Sequence, residues 1–187
     1  MPGIFRFSRV TLALALLVAA ATVPKEATAA KAAKIDSEVN AAIEQLLASN
    51  PGAKAIAGEA LSTLVFPRIV KGGFIFGGQF GDGALRRAGR TAGYYRSVAA
   101  SYGLQAGVQT FGYALFFMNQ AALSYFEKSD GWEIGVGPSI VILDAGMASS
   151  ITTTTARSDV YAVFFDQKGL MAGIGLQGTK ILRIHPE

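Results

Sequence analysis

Between Leu64 and Met118 the chain alternates short runs of Phe, Val, Ile and Tyr with glycine. This stretch holds 11 of the 22 Gly and six of the 17 Lys and Arg. Runs of about four to eight β-favouring residues broken by Gly read as consecutive strands. Glycines recurring inside the runs predict bulges or tight bends, as a strongly curved sheet requires. The residue pattern therefore demands a curved antiparallel sheet with a basic edge.

In chain order, Leu64-Val65-Phe66 reads as a first strand ended by Pro67, which has no N–H to give a ladder. Gly73 to Phe80 places Phe74, Phe76 and Phe80 on one face, and Gly81-Asp82-Gly83 carries the chemistry of a hairpin turn. Ala84 to Arg90 returns from it, and Ala92 to Ala100 and Leu104 to Met118 extend the sheet. In the last of these Phe111, Tyr113, Leu115 and Phe117 alternate with Gly112, Ala114 and Phe116, so Phe74, Phe76, Phe111 and Phe117 are expected in the core. Ile134 to Leu143, Val160 to Phe165, Leu170 to Leu176 and Ile181 to Ile184 read as further short strands, and Met147 to Thr155 as a loop or weak edge. Gly103 to Val108 and Gly169 to Ile174 echo one another, too few copies for a solenoid.

Helices flank this sheet. Ile35, Val39, Ile43 and Leu46/Leu47 recur at three-to-four spacing, which predicts a helix over Lys31 to Ser49, stopped by Asn50-Pro51-Gly52. Ala53 to Ser62 reads as a second, short helix, and Lys31, Lys34 and Lys54 give the pair a mildly basic side. From Asn119 to Lys128 the period is again helical, behind an Asn cap.

The first 29 residues read as a secretory signal peptide. Arg6 and Arg9 precede an apolar run from Val10 to Val23, and Ala27-Thr28-Ala29 supplies a small-x-small cleavage pattern. The apolar run is shorter than the roughly 20 residues a membrane-spanning helix needs. Residues 30–187 then form one domain of about 158 residues, large enough to bury a core without a covalent staple. Loss of Arg6, Arg9, Lys25 and Glu26 lowers the formal charge from +4 to +2, so the basic pI is no nucleic-acid signature. With no cysteine, disulfides, thiolate metal sites and a Cys nucleophile are excluded.

Catalytic chemistry is thin. His185, the sole histidine, lies near the C-terminus, and the acids sit at expected turns and strand ends, where Asp serves the backbone. Gly77, Gly78, Gly81 and Gly83 fit neither dinucleotide nor phosphate-loop spacing. No metal site, cofactor or catalytic residue is expected. The strongest chemical signal is basic: Arg68, Lys71, Arg86, Arg87, Arg90 and Arg96 meet only Asp82 in their own stretch, with Phe66, Phe74, Phe80, Tyr94 and Tyr95 among them. Such a cluster either guards a sheet edge with charge or meets an anionic membrane, where each Lys or Arg contributes about 1 kcal/mol. Nucleic acid is not expected as a partner of an exported chain.

The blocks VFPRIVKGGFIFGGQFGDGAL, YYRS with SYGLQAGVQTFGYALFFMN, and DQKGLMAGIGLQGTKI fall in one order between about Ala55 and Ile184. In this the chain resembles the SYLF-domain family, which includes actin-associated yeast proteins and exported bacterial members. The resemblance implies a phospholipid-binding module without enzymatic activity, using basic residues and an N-terminal helix. Here the first turn of that helix carries Asp36 and Glu38, against strong phosphoinositide selectivity, and an exported chain would not meet actin.

The expectation is thus an α+β fold: N-terminal helices packed on a curved, barrel-like antiparallel sheet, with one further helix at 119–128. The expected function is peripheral, periplasmic binding to anionic phospholipid through Lys31, Lys34, Lys54, Arg68, Lys71, Arg86, Arg87 and Arg90. Two rivals stand beside it: a small outer-membrane β-barrel or structural envelope protein, disfavoured by short strands, and an enzyme holding a lipid-like substrate inside the sheet.

Overall fold

The structure, a computed structural model, describes residues 25–73, 76–102, 107–129, 131–143, 158–169, 176 and 178–186. Residues 1–24 of the expected signal peptide, Phe74, the 147–155 segment, most of the expected 170–176 strand and most of the internal echo lie outside this set.

Helix α1 (Lys25–Ser49) begins before the expected Lys31 and runs through Ala29 and Ala30. Helix α2 (Pro51–Glu59) follows at once, because Asn50 ends one helix and caps the next. Its backbone N–H bonds the Leu46 carbonyl at 2.9 Å, and its side chain accepts from the Ala53 N–H at 2.9 Å. Pro51 takes the first position of α2, where a missing N–H costs nothing.

Strands β1 (Ser62–Gly73), β2 (Phe76–Arg87) and β3 (Arg90–Tyr102) are longer than the sequence predicts, and β4 (Gly107–Phe117) lies within the expected Leu104 to Met118. After α3 (Gln120–Lys128) come β5 (Trp132–Glu133), β6 (Ile140–Leu143), β7 (Val160–Gly169) and β8 (Lys180–Ile184). The expected strand over Ile134 to Leu143 is interrupted: residues 134–138 turn, with Gly135 and Gly137 at positive φ. One curled sheet of eight strands results, in the order β5-β8-β3-β2-β1-β4-β7-β6. Its described pairs are antiparallel except β6 with β7, which is parallel.

Pro67 does not end β1, although β1 is central. The register slips across it on both sides, between Val65 and Val70 against β2 and between Phe66 and Ile69 against β4. A bulge is where a central strand tolerates a residue that cannot donate. Gly81-Asp82-Gly83 is no turn either. It lies within β2, paired with Tyr95, Arg96 and Ser97, and the glycines serve a close approach. A Cβ on Gly83 would meet the Val65 carbonyl oxygen at 2.2 Å, and one on Gly81 the Arg68 carbonyl oxygen at 2.3 Å. The two-residue turn is Ala88-Gly89, both at positive φ, as a primed hairpin turn requires.

The sheet carries a core on each face. On one, Leu64, Phe66, Leu85, Tyr95, Phe111, Tyr113, Leu115 and Phe117 pack with Phe126 of α3 and with Trp132. Rings meet closely there, Phe66 and Tyr113 at 4.8 Å and Phe117 and Phe126 at 5.1 Å. Phe111 and Phe117 are core as expected; Phe74 and the Phe76 side chain lie outside the described set. On the other face Val65, Ala84, Ala114, Phe116 and Val163 are covered by Ile35, Val39 and Leu46 of α1 and Ile56 of α2.

This second core bears on the outer-membrane rival. Five strands reach 10 to 13 residues, so strand length does not argue against a barrel. The helices do, since they cover side chains that a membrane barrel would turn to lipid. Among the described residues no helix is long and apolar enough to cross a membrane.

Candidate functional site

The eight basic residues singled out in the sequence do not form one patch. Arg86 and Arg87 are committed elsewhere by tertiary contacts. Arg86 points under α1, with its side chain only 17 % exposed, 3.6 Å from Asp36 and hydrogen-bonded to Asn40 and Thr91. Asp36 also accepts from the hydroxyls of Thr91 at 2.6 Å and Tyr94 at 2.9 Å. Burial first, then the Asp36 contact, raises the Tyr94 phenol above its ordinary pKa. This polar cluster clamps the helix to β2 and β3. Arg87 donates to Glu127 of α3 at 2.8 Å and to Ser62 at 3.2 Å.

Three others are dispersed. Arg90 is exposed at the Ala88-Gly89 turn, and Lys54 is exposed on α2. Lys71 is half-buried and pairs in register with Gln79 and Gln109, whose side chains belong to the face away from the helices. Setting these cations against Asp82 alone, as the count along the chain does, therefore overstates the free charge, because α1 and α3 bring Asp36 and Glu127 to Arg86 and Arg87.

The remaining three do meet. Lys31 and Lys34 of α1 and Arg68 of β1 line one open groove of about 450 Å³, with Arg96 of β3. Its acids are Glu38, 3.9 Å from Lys34, and Asp82, held by Arg96 in two hydrogen bonds of 2.6 and 2.8 Å. That bidentate contact raises the Arg96 pKa further. Lys31 and Arg68 make no ion pair among the described residues. The groove's apolar wall is Ile35, Pro67, Val70 and Phe80, and Phe80 is 60 % exposed. That Phe80 points outward was not legible in the sequence; strand alternation from buried Ala84 puts it, Asp82 and Ala84 on the helix side of β2.

The bulge builds this site. An extra residue at Pro67-Arg68 re-aims the strand, and Gly81 lets β2 pass beneath the Arg68 carbonyl. By contrast, the apolar stripe of α1 is spent on the sheet: Ile35, Val39 and Leu46 are at most 6 % exposed. Ile43 and Leu47 pack against the same core, so among the described residues the large apolar side chains of α1 all face the sheet.

Among the described residues no three His, Asp or Glu gather closely enough to hold a metal. His185 lines a shallow groove with Arg183 and Tyr94.

Residues 98–185 match the family model described as "Ysc84: Las17-binding protein actin regulator". Over that span the chain is similar to the Ysc84, or SYLF, family, and the match is consistent with a SYLF-domain protein. The Ysc84 match takes in the end of β3 and everything through β8, and agrees with the resemblance carried by the SYGLQAGVQTFGYALFFMN and DQKGLMAGIGLQGTKI blocks. The SYLF family is lipid- and actin-related. The groove residues, Lys31 to Arg96, precede the matched span, so they rest on geometry alone. No curated protein matches the chain.

Proposed function

We propose that this protein is an exported, periplasmic, non-enzymatic SYLF protein that binds anionic phospholipid surfaces. The observation that carries this reading is the groove where Lys31 and Arg68, without acid partners among the described residues, stand beside an outward-facing Phe80. Two such cations near an anionic bilayer contribute about 2 kcal/mol, and an exposed ring adds apolar contact at the interface. Lipid relatedness of the family supports it independently. The Las17 and actin partners in the family's description belong to that family; the leader at 1–29 argues that this chain works elsewhere.

The test is co-sedimentation of the mature protein with vesicles of phosphatidylcholine alone or with added phosphatidylglycerol. Binding should require the anionic lipid and fall as salt rises. Equal binding to both vesicles, or to neither, refutes the proposal. Release of the protein from cells by osmotic shock, without detergent, tests the location.

A further inference from the structure

Resting on the surface-binding reading above, we infer that the groove between α1 and the β1–β2 bulge takes the single acyl chain of an anionic lysophospholipid, one molecule at a time. A flat electrostatic contact needs only cations. This site adds a concave apolar wall formed by Ile35, Pro67, Val70 and Phe80, from four positions on three elements. Its volume of about 450 Å³ falls within the roughly 300–1,000 Å³ of small-molecule sites.

Charge selects the headgroup. Within the groove Asp82 is already neutralised by Arg96, and the 3.9 Å contact of Lys34 with Glu38 is between exposed side chains. What is left over is positive, on Lys31 and Arg68, so a phosphate is favoured over a choline head. A single chain is favoured over two because the groove has one wall of apolar side chains, while Lys31, Lys34, Glu38, Asp82 and Arg96 make the rest polar. The site exists because the bulge holds Arg68 beside that wall, away from the end of a straight strand.

Calorimetric titration with lysophosphatidic acids of six, eight and ten carbons, each below its micelle concentration, tests this on the mature protein. Affinity should rise up to roughly 15-fold for every two carbons while methylenes still find the wall. Arg68→Ala should weaken each member about five-fold, and Phe80→Asp should flatten the chain-length series. Phe80 is exposed, so an unchanged thermal melt of the Phe80→Asp protein verifies its fold; Phe80→Ser provides a second, uncharged variant. Affinity independent of chain length, or a series unaltered in both Phe80 variants, overturns the inference. If vesicle binding persists in that case, the surface reading stands and only the groove occupant is wrong. If monomers bind with the predicted series but vesicles do not, the groove stands and the surface reading falls.

Discussion

Gly81 links the fold to the site, and Gly81→Ala tests the link. The added methyl would lie 2.3 Å from the Arg68 carbonyl oxygen, 2.8 Å from Ile69 Cδ1 and 3.2 Å from the Arg68 carbonyl carbon. A tolerable carbon–oxygen contact is about 1 Å longer, and the obstacle is backbone with no rotamer to escape into. Overpacking of a filled core costs about 1–3 kcal/mol, and a clash with fixed backbone belongs at the upper end. At about 3 kcal/mol, with roughly 2–4 °C per kcal/mol for a chain of this size, the melting temperature should fall by about 6–12 °C. Displacing the bulge also moves Arg68 off the groove, which should weaken binding to phosphatidylglycerol vesicles about five-fold. Gly58→Ala is the control: it sits in α2 with nothing within 4 Å of a new Cβ. There the better helix former should stabilise by about 1 kcal/mol. A Gly81→Ala protein melting within about 2 °C of wild type would refute the account of the bulge.

Arg86→Ala should destabilise by roughly 2 kcal/mol in urea melts, because it strips Asp36 and Asn40 of their partner under α1; vesicle affinity should barely change, and an equal loss with Arg68→Ala would restore the single-patch reading. Ala88→Asn should stabilise by about 1 kcal/mol, since Ala88 sits at φ 47° in the primed turn, where Asn is favoured over Ala; a lowered urea midpoint would count against that turn. Asp159 accepts from the Ser139 hydroxyl and N–H and from the Asn119 side chain, and these hydrogen bonds, Ser139's foremost, depress its pKa. A depressed folded pKa means that its stabilisation is present above the unfolded value near 4 and is lost as pH falls through the folded value. The urea midpoint should therefore drop on acidification below about pH 4, and less so in Asp159→Asn; identical acid profiles would show that the carboxylate is not the group responsible.

Local chemistry was legible in the sequence wherever a residue acts through its neighbours along the chain. The apolar stripe of α1, the Asn119 cap and the alternation of Phe111 to Phe117 are set within a turn or two of backbone, and each stands where the local pattern put it; Asn50, read only as a helix stop, also caps α2. The strands β1 and β2 were legible in place but not in extent, because Pro67 and Gly81-Asp82-Gly83 read as breaks. In a single strand they would be. Only pairing with a neighbour shows that a bulge absorbs the proline and that the glycines make room for a carbonyl.

The charges divide in the same way. Sequence alone determined that cations crowd the residues from Arg68 to Arg96, that no thiol is present, and that a glycine-kinked sheet with flanking helices is the fold. Tertiary structure decided which cations are left for a ligand. Asp36 reaches Arg86 across 50 residues and Glu127 reaches Arg87 across 40, while Lys31 joins Arg68 from a different element. Coulomb attraction depends on distance in space, and a count along the chain is blind to acids that only folding brings near.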